Sequence, residues 1–132
     1  MLKAIYLSIK PQYTKLIEIG KKNYEFRNYV SKKPFDTLFV YESTPTCALK
    51  YIIEIDNIIK YPEKIKELGI GNDEFNKGFK KAKYAYKIKH VYLLDKPIKL
   101  QELKEKYNFN APQGYAYDDK YPELTKYLLK AN

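Results

Sequence analysis

The run CALKYIIEIDNIIKY, residues 47–61, alternates apolar and polar side chains along most of its length. A period of two belongs to a strand, not a helix. Cys47, Leu49, Tyr51, Ile53, Ile55 and Ile59 share one face, and Lys50, Glu54, Asp56 and Lys60 lie opposite. Most strands have about 3–10 residues, so a strand this long must bend, as strands do around a barrel-type core. A second run, KYAYKIKHVYLLD at residues 83–95, alternates in the same way. It places Tyr84, Tyr86, Ile88, Tyr92 and Leu94 inward with Lys83, Lys87 and Lys89 outward. His90 falls on the inward face and reads as a packed histidine.

Shorter elements fit around this frame. Residues 2–10 form a strand with Ile5, Leu7 and Ile9 on one face and Ala4, Tyr6, Ser8 and Lys10 on the other. Pro11 suits the first turn of a helix, with Tyr13, Leu16 and Ile17 on its buried side and Gly20 as its stop. Asn23–Arg27 is a strand with Tyr24 and Phe26 on one side and Asn23, Glu25 and Arg27 on the other. Residues 37–43 are apolar on both faces, which suits a central strand. Residues 62–80 read as one or two short helices around the turn GIGN. Residues 100–107 and 120–130 form further helices. Long antiparallel strands with few crossovers imply an α+β fold: a small β-barrel with flanking short helices, in one domain over residues 1–132.

The chemistry open to this chain is limited. Its single histidine and single cysteine, His90 and Cys47, do not make a zinc site, and no metal or cofactor is expected. Cys47 has no partner for an intramolecular disulfide, which favours a reducing compartment. No leader peptide or membrane-span pattern is recognised. The expected setting is therefore cytoplasmic. No P-loop or dinucleotide fingerprint is present. The net charge of +9 favours a polyanionic partner, nucleic acid above all, although AT-rich coding produces the same lysine excess.

Of the 25 basic residues, 24 are lysine, and the one arginine lies in KKNYEFRN, residues 21–28. Lysine supplies generic positive charge throughout this chain. A lone arginine therefore suggests a place that requires a planar, bidentate fork: a phosphate, a base edge or a buried carboxylate. Glu25 and Arg27 are two residues apart on a strand, so both leave the same face roughly 7 Å apart. Lys22 precedes them at the turn after Gly20. Arg27 is expected to point into a cleft with Glu25 and Lys22. A second basic feature is the tract Lys77, Lys80, Lys81, Lys83, Lys87 and Lys89, with no acidic residue before Asp95.

The segment LSIKPQYTKLIEIGKKNYEFRN resembles the start of the ASCH domain, a member of the PUA-like superfamily. The family pattern G-x-K-x-x-E-x-R is met by Gly20, Lys22, Glu25 and Arg27. LFVYESTPTCALKYIIEI and APQGYAYDD resemble later parts of the same domain. The resemblance implies a PUA-like β-barrel with a polar cleft beside the first helix, and a role in binding RNA or a modified nucleotide. Ser8, Lys10, Lys22, Glu25, Arg27 and Ser43 would line that cleft, with Tyr115 as a stacking surface and residues 41–45 as one wall.

Some members look enzymatic, among them a small amidohydrolase acting on acetylated cytidine and members with ribonuclease activity. In that setting Lys22 would be base or nucleophile and Glu25 a general acid/base. Glu25 stands where the amidohydrolase branch carries a threonine, which removes the expected hydroxyl. Three readings follow: an RNA- or nucleotide-binding module, a small enzyme of RNA or nucleoside metabolism, and a protein-interaction domain. The sequence assigns no oligomeric state.

Overall fold

The structure is a computed structural model that describes residues 3–131. Leu2, at the start of the first expected strand, lies outside the described residues. The elements run β1 (Ala4–Ile9), α1 (Pro11–Glu18), β2 (Tyr24–Arg27), β3 (Thr37–Glu42), β4 (Ala48–Lys60), α2 (Asn72–Asn76), β5 (Tyr84–Lys99), α3 (Leu100–Tyr107), β6 (Tyr115–Tyr117) and α4 (Pro122–Ala131). A 3-10 turn at Asp118–Lys120 leads into α4. The six strands form one mixed sheet in the order β2-β5-β4-β3-β1-β6. Only β1 and β3 pair in parallel. The result is an α+β half-barrel with flanking short helices. No helix among the described residues is long and apolar enough to cross a membrane.

The 13-residue β4 and 16-residue β5 are the two long strands expected from their alternation, and they pair with each other antiparallel as a bent ribbon. Their ladder shifts register between Leu49 and Tyr51, between Glu54 and Ile55, and between Ile55 and Ile58. Each irregularity changes which side chains face a given side and tightens the local twist. The face expected to be continuous along β4 is therefore divided. Leu49 packs in one cluster, with Tyr6, Phe39 and Leu103, while Tyr51, Ile53 and Ile55 pack in another, with Leu7, Val40 and Ile17. The first cluster is covered by α3 and α4, and the second receives α1.

The same irregularities correct the inward assignment of His90 and Tyr92. Both side chains are exposed, while the neighbouring Val91 packs against the second cluster. Cys47 does not belong to β4. It precedes the strand with φ +50°, half-buried against the first cluster.

One further expectation is corrected, the buried face of α1. Helix α1 buries Thr14 and Ile17, and Tyr13 is 41% exposed. Thr14 points inward because its hydroxyl has a buried partner in Glu42. Residues 62–80 hold one short helix, α2, and much irregular chain packed around Ile65 and Phe75. Residues 115–117 form the edge strand β6, antiparallel to β1. Three residues are too few to show a strand period.

Candidate functional site

The site begins at the end of α1. Pro11 opens the helix, where its missing N–H is no loss. Gly20, at φ +81°, turns the chain out of the helix. The N–H groups of Lys21 and Lys22 then both donate to the Leu16 carbonyl, at 2.9 and 3.0 Å. This folded-back turn sends the Lys22 side chain inward, where the residue is only 6% exposed. Its Nζ donates to the Tyr24 carbonyl and lies 3.4 Å from Glu25 Oε1.

Glu25 is equally buried. Its Oε2 accepts from Arg27 Nε at 2.9 Å and from Nη2 at 2.8 Å. The guanidinium continues outward from that pair. Nη1 donates to the Tyr29 hydroxyl at 3.0 Å, and Nη2 also donates to the Ser8 carbonyl at 2.8 Å. The Tyr29 hydroxyl in turn donates to the Gly114 carbonyl at 3.1 Å. Strand β2 is one edge of the sheet, and β1 and β6 lie at the other end. Arg27 and Tyr29 therefore bridge the open side of the half-barrel with side-chain hydrogen bonds in place of a strand ladder.

The electrostatics follow from burial and neighbours. Burial works against the Arg27 charge, but Glu25 and Tyr29 outweigh it and hold the guanidinium pKa above its ordinary value. Burial lowers the Lys22 pKa, and Lys80 and Arg27 push in the same direction. Glu25 offsets only part of this.

Lys22 and Glu25 border a cleft of about 270 Å³, whose remaining lining is Tyr13, Phe26, Lys80, Lys81 and Ala82. The ammonium groups of Lys22 and Lys80 lie 4.5 and 4.8 Å from the centre of the Phe26 ring, within cation–π range. The wall at 80–82 comes from the segment between β4 and β5, which packs on β2 through Tyr24 and Phe75. The cleft thus carries three lysines and one carboxylate, and that carboxylate is already paired with Arg27.

The residues singled out in the sequence fall into two groups. Lys22, Glu25 and Arg27 come together, and Ser8 joins them through its carbonyl. The Ser8 hydroxyl is engaged by the Pro112 carbonyl at 2.7 Å. Lys10 is exposed at the N-cap of α1. Ser43 sits in the turn after β3, its N–H on the Ile9 carbonyl at 3.0 Å. Of the residues expected to line the cleft only Lys22 and Glu25 do so; Ser8, Lys10, Arg27 and Ser43 do not, and none of residues 41–45 forms a wall of it, Arg27 being turned to the Tyr29 hydroxyl and the Ser8 carbonyl instead. The Tyr115 ring lies 5.4 Å from that of Tyr29 and 5.3 Å from that of Tyr117, so it touches the arginine network and not the cleft.

Tyr13 and Tyr29 carried no recognisable site signal in the sequence. Lys80 and Lys81 did, as part of the basic tract. No group of three His, Cys, Asp or Glu that could hold a metal ion occurs among the described residues.

A further buried carboxylate, Glu42, fixes α1 to the end of β3. It accepts from the Thr14 hydroxyl and lies 3.4 Å from Lys50 Nζ. Burial alone would raise its pKa, but hydrogen bonds from Thr14 and Thr46 and the Lys50 charge outweigh burial and hold it below the ordinary 4.5.

The sequence profile of the ASCH domain matches residues 7–124. The fold is similar to the solved ASCH protein of Zymomonas mobilis, with TM-score 0.70 at 20% identity, covering 94% of each chain. A serine-to-alanine variant of that protein superposes with TM-score 0.71 at 20% identity, covering 95% of this chain and 96% of the other. A tyrosine-to-phenylalanine variant gives 0.71 at 19% identity, covering 94% and 97%. At this identity the likeness is one of fold. None of the curated protein sequences matches significantly.

Proposed function

The chain belongs to the ASCH domain family, and we propose that it binds RNA or a modified nucleotide in the cleft over Lys22 and Glu25. The observation that carries this reading is the charge balance of the cleft. Glu25 is neutralised from within by Arg27, so Lys22, Lys80 and Lys81 are left facing an open space of about 270 Å³. In this reading Lys80 and Lys81 hold phosphate and Lys22 donates to a base or sugar oxygen. Glu25 Oε1 accepts from an exocyclic amine, and Tyr13 offers a ring for stacking. Arg27 is a positioning residue, because its donors are engaged inside the fold. A cytoplasmic setting goes with this reading, on the strength of the single unpaired Cys47.

The test is fluorescence anisotropy with labelled single-stranded RNA over a range of salt, using wild type and a Lys80→Ala/Lys81→Ala double variant. Two lost phosphate contacts should weaken binding and flatten the salt dependence by about 1.4 in slope, at roughly 0.7 per phosphate for a single strand. Unchanged affinity and slope in a folded double variant would refute the cleft as the binding site.

One observation favours a second reading. A buried lysine with a lowered pKa, next to a carboxylate and open to a cleft, suits a base or nucleophile in a small hydrolase of RNA or nucleosides. Incubation with labelled RNA and with acetylated cytidine tests it. Turnover lost in Lys22→Arg supports that reading, and turnover that survives the substitution rules it out.

A further inference from the structure

The loop Gly78–Lys81 displays a phenylalanine that the fold does not use. Phe79 is 77% exposed, yet its backbone is firmly held. Its N–H donates to the Glu74 carbonyl at 2.9 Å. Gly78 has φ +75° and lies so close to Tyr61 that a Cβ would sit 2.5 Å from the phenol oxygen. Lys83 Nζ donates to the Lys80 carbonyl at 3.0 Å and reaches the Gly78 carbonyl at 3.4 Å. A single exposed apolar side chain is ordinary. An exposed aromatic on a braced loop, next to the cationic wall of a cleft, has the features of a stacking platform.

Charge around the ring agrees with this. Lys77 is paired with Asp73 at 3.0 Å. Lys80 and Lys81 have no carboxylate within ion-pair distance among the described residues. They follow Phe79 directly and line the cleft. The cleft is also small. At about 270 Å³ it lies just under the roughly 300–1,000 Å³ range of small-molecule sites. It accommodates little more than one nucleotide, so a longer strand must continue over its rim.

We infer that Phe79 is a second subsite, extending the cleft to single-stranded RNA. One nucleotide occupies the cleft, the bridging phosphate lies at Lys80 and Lys81, and the neighbouring base stacks on Phe79. This rests on the cleft-binding reading and specifies it further: the ligand is an oligonucleotide, not a free nucleoside or mononucleotide.

The test compares cytidine 5′-monophosphate with oligocytidylates of two and six residues, by calorimetry or competition anisotropy. It uses wild type, Phe79→Ala, Phe79→Trp and Lys22→Met. Wild type should bind the dinucleotide about tenfold or more tighter than the mononucleotide. Phe79→Ala should weaken oligonucleotide binding by about five- to 150-fold, the range of one base–aromatic stack. It should leave mononucleotide binding unchanged, and Phe79→Trp should restore the oligonucleotide affinity.

Mononucleotide binding that depends on Lys22, with no gain from a second nucleotide and no effect of Phe79→Ala, overturns the subsite alone. Binding indifferent to Lys22, or no binding by wild type to any of these probes, overturns the cleft reading and the subsite with it.

Discussion

Replacing Arg27 gives the sharpest test of how this half-barrel is held together. Its guanidinium donates in three directions: to Glu25, to the Tyr29 hydroxyl and to the Ser8 carbonyl. The side chains of Arg27 and Glu25 are only 14% and 8% exposed, so solvent screens the pair weakly. Arg27→Ala leaves Glu25 buried with only Lys22 at 3.4 Å, and orphans the Ser8 carbonyl. Breaking a buried pair by removing one partner costs about 3–5 kcal/mol, a large share of the roughly 5–15 kcal/mol that holds a domain folded. Arg27→Lys keeps a charge near Glu25 but cannot serve all three acceptors, so its cost should be about 1–3 kcal/mol. Urea unfolding at neutral pH measures both. With a slope of about 2 kcal/mol per molar urea, the midpoint should fall by about 2 M for alanine and about 1 M for lysine. Tyr29→Phe combined with Arg27→Ala should be non-additive, because the two side chains form one bridge. An Arg27→Ala midpoint within about 0.3 M of wild type would show that the open side of the sheet does not depend on this residue.

Two more substitutions test other parts of the fold. Glu42 has a lowered pKa in the fold, so the unfolded chain binds its proton more readily. Its contribution is fully present above the ordinary 4.5 and is lost as pH falls through the lower folded value. Glu42→Gln should therefore flatten the acid limb of a stability–pH curve below about 4.5, and a limb of unchanged steepness would count against this. Asn72 is fully buried, and its two amide N–H groups are shared among three acceptors within 2.6–3.0 Å, Asn23 Oδ1 and the carbonyls of Lys66 and Leu68. Asn72→Ala should cost about 2–3 kcal/mol and speed hydrogen exchange in residues 62–82 more than in β3 and β4. Uniform protection across the chain would show that Asn72 does not hold this segment locally.

How much of this was legible depended on the length scale of each signal. The two long strands were visible because many alternating positions repeat one message. Their pairing and bulges were not, since a register shift is set by how the partner strand packs, and Leu49 and Tyr51 look alike in sequence while entering different clusters. The inward face of α1 was misread for a related reason. Apolarity favoured Tyr13, whereas the buried position belongs to Thr14, whose hydroxyl meets a carboxylate 28 residues away. Glu25 and Arg27 were placed on one face because a two-residue spacing is local geometry. The cationic wall at Lys80 and Lys81 is more than 50 residues from Lys22, and tertiary structure brings it there: the β2–β5 ladder and the packing of Ile65 and Phe75 against β2.

The lone arginine connects these length scales. A lysine ammonium is a compact point charge at the end of a flexible stem, and it serves well wherever the partner is a single anion or solvent. Position 27 presents a carboxylate, a phenol and a backbone carbonyl spread around one plane, and a guanidinium meets that arrangement with its fork. Once the fork is engaged inside the fold, it holds Glu25 in place and neutralises it, and the outward electrostatics pass to lysines. That division gives a reason why the one arginine among 24 lysines is internal to the machinery. It also states which residues a ligand should feel directly. Lys22, Lys80 and Lys81 should govern affinity and its salt dependence, while Arg27 should act through the position of Glu25 and the closure of the sheet.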